Sequence, residues 1–282
     1  MRRAWWVNAL LAAAVVALGL FVFFKPRIDA PAGSPLAAIK PDAARTIRLE
    51  RPGAAAIVLE KRGEEWFLTA PLPARADPLR VQRLLAIAGA TATSRLAASD
   101  LARFELDRPA ARLTVDAQRF DFGMVNPVSR EQYVLTGGAV YTVALAYGAS
   151  LPGKPGDVID KRLLRMDEVP ARVELGNFTV AREEGKWILK PPGGELSQDD
   201  LQRWVDEWRH ASALRVEPFA KGVPLGAVRM QFRDGTALSL GILGREPELA
   251  LLRPDEKLVY YLFKGSAGRL LSPPGAARNG GR

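Results

Sequence analysis

The sequence predicts an α+β protein in which an N-terminal transmembrane helix leads into two tandem duplicated modules, each an antiparallel sheet with one packed helix. Three observations carry that expectation. The run Ala4–Phe24, 21 residues long, holds only Asn8 as a strongly polar side chain. A series of motifs recurs in one order at offsets of 118 to 121 residues. Each copy holds one apolar stripe of helical period among segments that alternate at period two.

The anchor comes first. At about 1.5 Å per residue the run spans roughly 30 Å of hydrocarbon. Arg2 and Arg3 precede it, Trp5 and Trp6 stand where an interfacial belt places them, and Lys25-Pro26-Arg27 ends it. A cleaved signal peptide has a shorter apolar core and a small-residue cleavage site close behind. The run therefore reads as an uncleaved anchor, single pass in a bacterial inner membrane, N-terminus cytoplasmic and body in the periplasm. Residues 1–25 form the anchor. Residues 26–45, with Pro31, Gly33, Ser34, Pro35 and Pro41, read as a semi-extended linker.

The body reads as a duplication, residues 46–165 followed by 166–272, with a disordered tail at 273–282. Glu64-Glu65-Trp66-Phe67-Leu68 leads to Pro71 and Pro73, as Glu184-Gly185-Lys186-Trp187-Ile188-Leu189 leads to Pro191-Pro192. A helix follows each. The first opens on the N-cap Asp77 with Pro78 behind it, and its stripe is Val81, Leu84, Leu85 and Ala88. The second opens on Ser197 with Asp200 three residues on, a near capping box, and its stripe is Leu201, Trp204, Val205 and Trp208. Hairpins follow, one turning at Asp116 and ending at Gly123, the other turning at Asp234-Gly235 and ending at Gly241. Last come Val140-Tyr141-Thr142-Val143 and Val259-Tyr260-Tyr261-Leu262. Each unit reads β-β-α-β-β-β-β, with a short extra strand before the first Trp hairpin. Trp66, Trp187, Gly123 and Gly241 are the structural markers of the repeat, and both Trp side chains are expected to fill the seam between sheet and helix.

Composition narrows the function. With no Cys and one His among 282 residues, disulfides, thiol nucleophiles and Cys-based metal sites are excluded, as is any site needing two imidazoles. The net charge of +9 divides into +4 over residues 1–45, +4 over 46–165, −1 over 166–272 and +2 in the tail. Nucleic-acid binders concentrate basic groups on one face or helix. Here Arg and Glu alternate, so no nucleic-acid partner is expected.

The remaining candidates have plain readings. His210 lies away from the apolar stripe, near a helix C-terminus that suits a cation. Glu64-Glu65 and Glu183-Glu184 sit at hairpin turns. Gly148 to Pro155 mimics a phosphate loop, but Pro155 stands where a Ser or Thr belongs. No catalytic, metal-binding or cofactor-binding residue is assigned, and no cofactor is expected.

Phe104-Glu105-Leu106-Asp107-Arg108-Pro109 opens the hairpin that ends at Phe122-Gly123. Tyr133-Val134 and Val140-Tyr141 follow, then Asp160-Lys161-Arg162-Leu163-Leu164. This order, behind a Trp hairpin and a Pro-rich loop, resembles the bacterial family called domain of unknown function 4340. The family's pattern is a Phe-Gly-Leu-Asp-x-Pro stretch, an apolar-x-Gly strand end and a late Asp-Lys/Arg-x-Leu-Leu segment. Glu105 replaces the usual Gly. The resemblance covers residues 46–272 and implies an envelope-facing, single-pass protein whose relatives accompany ABC-type transporter genes. It implies no catalytic residues.

Function is therefore expected to be non-enzymatic, a scaffold or accessory subunit of a membrane complex with a protein partner. The alternative is a small ligand or glycan held in the cleft between the repeats, with Tyr141, Tyr147, Tyr260 and Tyr261 as its aromatic surface. A carboxylate hydrolase needs acidic groups from distant segments to converge in one cleft.

Overall fold

The computed structural model describes residues 36–37, 40–192 and 196–274. Ala4–Phe24 lies outside them, and so does the tail from 275. Among the described residues no helix is long and apolar enough to cross a membrane.

The first unit runs β1 (Thr46–Glu50), β2 (Ile57–Arg62), β3 (Glu65–Ala70), β4 (Ala74–Arg75), α1 (Pro78–Leu85), β5 (Ser94–Ala97), β6 (Ala111–Val115), β7 (Gln118–Val125), β8 (Glu131–Thr136), β9 (Ala139–Ala144) and the short α2 (Leu145–Ala149). The second runs β10 (Pro170–Leu175), β11 (Phe178–Glu183), β12 (Lys186–Lys190), α3 (Gln198–Arg209), β13 (Arg215–Pro218), β14 (Gly226–Phe232), β15 (Ala237–Gly244), β16 (Leu249–Arg253), β17 (Leu258–Leu262) and the short α4 (Ser266–Leu270).

The strand orders are β4-β3-β2-β1-β6-β7-β8-β9-β5 and β12-β11-β10-β14-β15-β16-β17-β13, every pairing antiparallel. With β4 set aside the two orders are identical, which is the duplication expressed as topology. Two details of the expected unit are corrected. The opening strand belongs to both units, as β1 and β10, and the extra strand of the first unit is β4. A further strand follows each helix, β5 and β13. These edge strands escaped notice because every residue of β5 is exposed and only Val216 of β13 is buried, so neither shows an alternating pattern.

Each helix carries the chain from one edge of its sheet to the other, and so lies across the sheet face. Asp77 caps α1 through its carboxylate, which accepts from the backbone N–H of Leu79 and Arg80. Ser197 and Asp200 close a reciprocal capping box on α3. Both expected stripes are buried in full and join one continuous core with the sheets. Trp187 fills its sheet–helix seam as expected. Its Nε1 donates to Gln202 on α3 at 2.6 Å, while the Gln198 side chain takes the backbone N–H and C=O of Trp187, each at 2.8 Å. In the first unit a real strand does that edge work, since the Ala76 N–H donates to the Trp66 carbonyl at 2.9 Å. Trp66 is only half-buried.

Gly123 and Gly241 share one cause. In each unit the loop after the edge strand folds back over the sheet. A Cβ on Gly123 would stand 2.2 Å from the Phe104 carbonyl oxygen and 2.9 Å from the Leu106 side chain; one on Gly241 would meet Pro224 at 3.0 Å. The Phe-Gly-Leu-Asp-x-Pro stretch of the resemblance is this crossing loop.

Glu105 occupies a left-handed backbone position, φ +55°, which explains why the family pattern places Gly there. Its side chain is exposed and, among the described residues, makes no hydrogen bond or ion pair that a glycine would forfeit. Glu105→Gly is therefore expected to stabilise the protein by about 0.5–1 kcal/mol, a balance of relieved αL strain against added chain entropy. A urea midpoint that is unchanged or lower would contradict it.

Candidate functional site

The segment between the units is stitched to both. On the side of the first unit, Asp77 N–H donates to Val158 C=O and Asp160 N–H to Arg75 C=O, both at 2.8 Å. Toward the second, Leu163 N–H donates to Ala211 C=O at 2.9 Å and Ala213 N–H to Lys161 C=O at 2.8 Å. Val158, Ile159, Leu163 and Leu164 are fully buried along it. The late Asp-Lys-Arg-Leu-Leu segment is thus the strap that joins the repeats. The chain enters the first unit the same way: Leu36, buried within the span read as linker, donates its N–H to Ala90 C=O at 3.0 Å. Packing of the first unit begins ahead of residue 46.

Around the strap lies the largest constellation of charge among the described residues. The buried Arg75 of β4 donates Nε to Glu256 at 2.8 Å, Nη1 to Asp160 at 3.1 Å and Nη2 to the Tyr260 hydroxyl at 3.0 Å. Tyr260 in turn donates its O–H to Glu256. Arg162 forks onto Asp160, at 3.0 Å from Nε and 2.8 Å from Nη2. Arg253, 1% exposed, donates to the Leu163 carbonyl at 2.7 Å and forks onto Glu168. Its Nε reaches Asp255 at 3.2 Å. Arg165 stands apart, its Nη2 3.4–3.5 Å from Asp255 and Glu256 and its buried Nε without a hydrogen-bond partner among the described residues.

Carboxylates from distant segments do converge here, as a hydrolase would require. Each is held by a guanidinium. Burial alone would raise the Glu168 carboxyl, but hydrogen bonds from Arg253 and from the Arg165 backbone outweigh it and hold its pKa below the ordinary glutamate range. That is the wrong direction for a general acid near neutrality. Burial, reinforced by Glu256, pushes the Tyr260 phenol up, so it stays protonated and donates. The arrangement is chemically a joint: complementary groups spent on one another across a largely buried seam.

The Glu168 shift has a measurable sign. Its folded pKa lies below its unfolded one, so its contribution to stability is full above the ordinary value of 4.5 and is lost as the pH falls through the folded pKa. Glu168→Gln is expected to be less stable than wild type at pH 7 and to lose less on acidification. Urea midpoints with parallel acid slopes in the two proteins would count against this.

The four tyrosines do not form one surface. Tyr260 is wholly buried in the seam. Tyr261, its neighbour on β17, faces the other side, where the Arg215 guanidinium stacks 3.6 Å from its ring centroid. Tyr141 is half-buried on β9 and pairs across to Arg95, as Tyr261 pairs to Arg215. Tyr141 packs against the main core, as Tyr260 does, whereas Tyr261 lies on the opposite face, so the pairing of Tyr141 with Tyr260 read from the repeat keeps the same face. Tyr147 is half-buried on α2. At the seam itself a cleft of about 90 Å³ lies beside Trp66, Arg75, Asp160 and Arg162.

Other candidates fall as follows. His210 is exposed at the C-cap of α3, its Nδ1 2.9 Å from the Asp206 carbonyl. The two acidic pairs stand at hairpin turns, with Glu64 next to Lys61 at 3.3 Å and Glu183 next to Lys190 at 2.6 Å. In the loop that mimics a phosphate site, Asp157 already takes the N–H groups of Gly153 and Lys154, at 3.0 and 3.1 Å. Among the described residues no group of three or more His, Asp or Glu side chains is placed to hold a metal ion.

The seam residues were missed because charged residues read as solvated surface. One signal was available. The β8–β9 hairpin of the first unit turns on Gly137-Gly138, while its counterpart in the second carries Pro254-Asp255-Glu256-Lys257 between β16 and β17. A repeat that lengthens one hairpin with charge has given it a task.

Residues 66–222, more than half of the chain, match the family model described as Domain of unknown function (DUF4340). No curated protein and no solved structure matches the chain.

Proposed function

We infer that this chain, which belongs to the DUF4340 family, is a non-enzymatic scaffold or accessory subunit of a membrane complex, tethered by Ala4–Phe24 and facing the envelope. The observation that carries the reading is the seam. Two units whose buried charges neutralise one another across a stitched strap behave as one rigid body, and rigidity is what a scaffold requires. The tether supports it as well. Ten residues separate Lys25 from the buried Leu36, and the eleven steps between them reach at most about 40 Å, which keeps the body near the bilayer. A transporter component of the kind the family resemblance implies is within that range.

The test is affinity capture of the full chain from native membranes after cross-linking and mild solubilisation. Stoichiometric recovery of a membrane-protein partner is expected. Recovery of the protein alone at full yield would remove the scaffold reading.

A further inference from the structure

The seam spends its polar groups on one another; a second cavity does not. It measures about 330 Å³ and opens between the C-terminal end of α3 and α4, lined among others by Glu207, His210, Ser212, Phe263, Ser266 and Arg269. Its size lies at the lower end of small-molecule sites, roughly 300–1,000 Å³. Ser266 is 3% exposed and turns what remains accessible of it to the cavity. Neither Arg269 nor Glu207 has an ion-pair partner among the described residues. His210 uses Nδ1 on the Asp206 carbonyl, which leaves Nε2 uncommitted. Phe263 is 55% exposed, an aromatic surface kept open at the cavity wall.

We propose that this cavity binds a small carboxylate that carries an apolar group and an adjacent N–H donor, the chemistry shared by a free amino acid and a peptide C-terminus. The Arg269 guanidinium matches a carboxylate in fork geometry. His210 Nε2 and the Ser266 hydroxyl serve its remaining oxygen valences, Phe263 packs on the apolar group, and Glu207 receives the nitrogen.

His210 provides the reporter, because a chain with one histidine gives one imidazole signal. The full chain in detergent is titrated with N-acetyl-phenylalanine, a C-terminus mimic, and with free phenylalanine, while the ring resonance is followed by NMR. At least one of them is expected to shift it saturably with a midpoint below about 1 mM, and Arg269→Gln to raise that midpoint about tenfold or more. N-acetyl-phenylalanine methyl ester, which lacks the carboxylate, is expected to give no saturable shift. Tighter binding of phenylalanine, weakened by Glu207→Gln, identifies a free amino acid; tighter binding of the acetylated form identifies a peptide terminus. The proposal is overturned by no saturable shift from either acid up to about 10 mM. A midpoint unmoved in a folded Arg269→Gln variant, or an ester that binds as the acid does, overturns it equally.

Discussion

Replacing Arg75 with alanine is expected to cost about 3–5 kcal/mol of unfolding free energy, because it removes the buried guanidinium that Asp160 and Glu256 share and leaves them the half-exposed Arg162 and the longer contacts of Arg165 and Arg253. Asp160 and Glu256 are both nearly inaccessible and both lose a direct guanidinium contact. The Tyr260 hydroxyl keeps Glu256 as acceptor but loses its donor. Arg75 belongs to the first unit and Glu256 to the second, so the loss also falls on the coupling between them. Wild type, with one continuous core, is expected to unfold in a single transition. In the variant the halves are expected to separate, with Trp66 fluorescence reporting the first and Trp187, Trp204 and Trp208 the second. Arg75→Lys is expected to recover less than half of the loss, since one ammonium cannot take the positions of a fork spread over Glu256, Asp160 and Tyr260. A single transition in Arg75→Ala, with a loss below about 1 kcal/mol, would refute the joint.

The joint also marks where reading the sequence stopped short. Periodicity and capping chemistry are local, and they located both helices, both Trp hairpins and the two marker glycines. Val81, Leu84 and Leu85 announce a buried helix face within a few residues of one another. Arg75 carries no such mark. Its partners lie 85 to 185 residues away, at Asp160 and Tyr260, and only the return of the second unit onto the first brings them together. The edge strands were illegible for the opposite reason. β5 buries nothing, so its sequence is under no alternating constraint. The tyrosines were legible in part: aligning Tyr141 with Tyr260 places both on the core face, but nothing local tells that Tyr260 is drawn into the charged seam. Charge at the second cavity was equally silent, since in sequence Arg269 and His210 look like any solvated pair, and only the fold brings them to one wall.

Gly123→Ala is expected to be as damaging as the loss of Arg75, from a side chain of one carbon. The added Cβ would stand 2.2 Å from the Phe104 carbonyl oxygen and within 3.0 Å of two Leu106 side-chain atoms. The first is backbone, which has no rotamer through which to escape. To admit the methyl group the crossing loop must lift from β7, which uncovers Leu106 and separates the Phe104 ring from Tyr133, now 4.6 Å apart. Overpacking of this kind costs about 1–3 kcal/mol when side chains can adjust, and more when backbone must move. A loss above about 3 kcal/mol in the urea midpoint analysis is therefore expected. Gly241→Ala is the built-in comparison. Its Cβ would meet the Pro224 ring at 3.0 Å and Leu252 at an ordinary 3.4 Å, side-chain atoms in both cases, and a loss of about 1 kcal/mol is expected there. If the two substitutions prove equal, the crossing loop is not what demands the glycine. If they differ in this order, the glycine at each strand end records how closely the folded-back loop passes over its sheet, and the loop of the first unit passes closer.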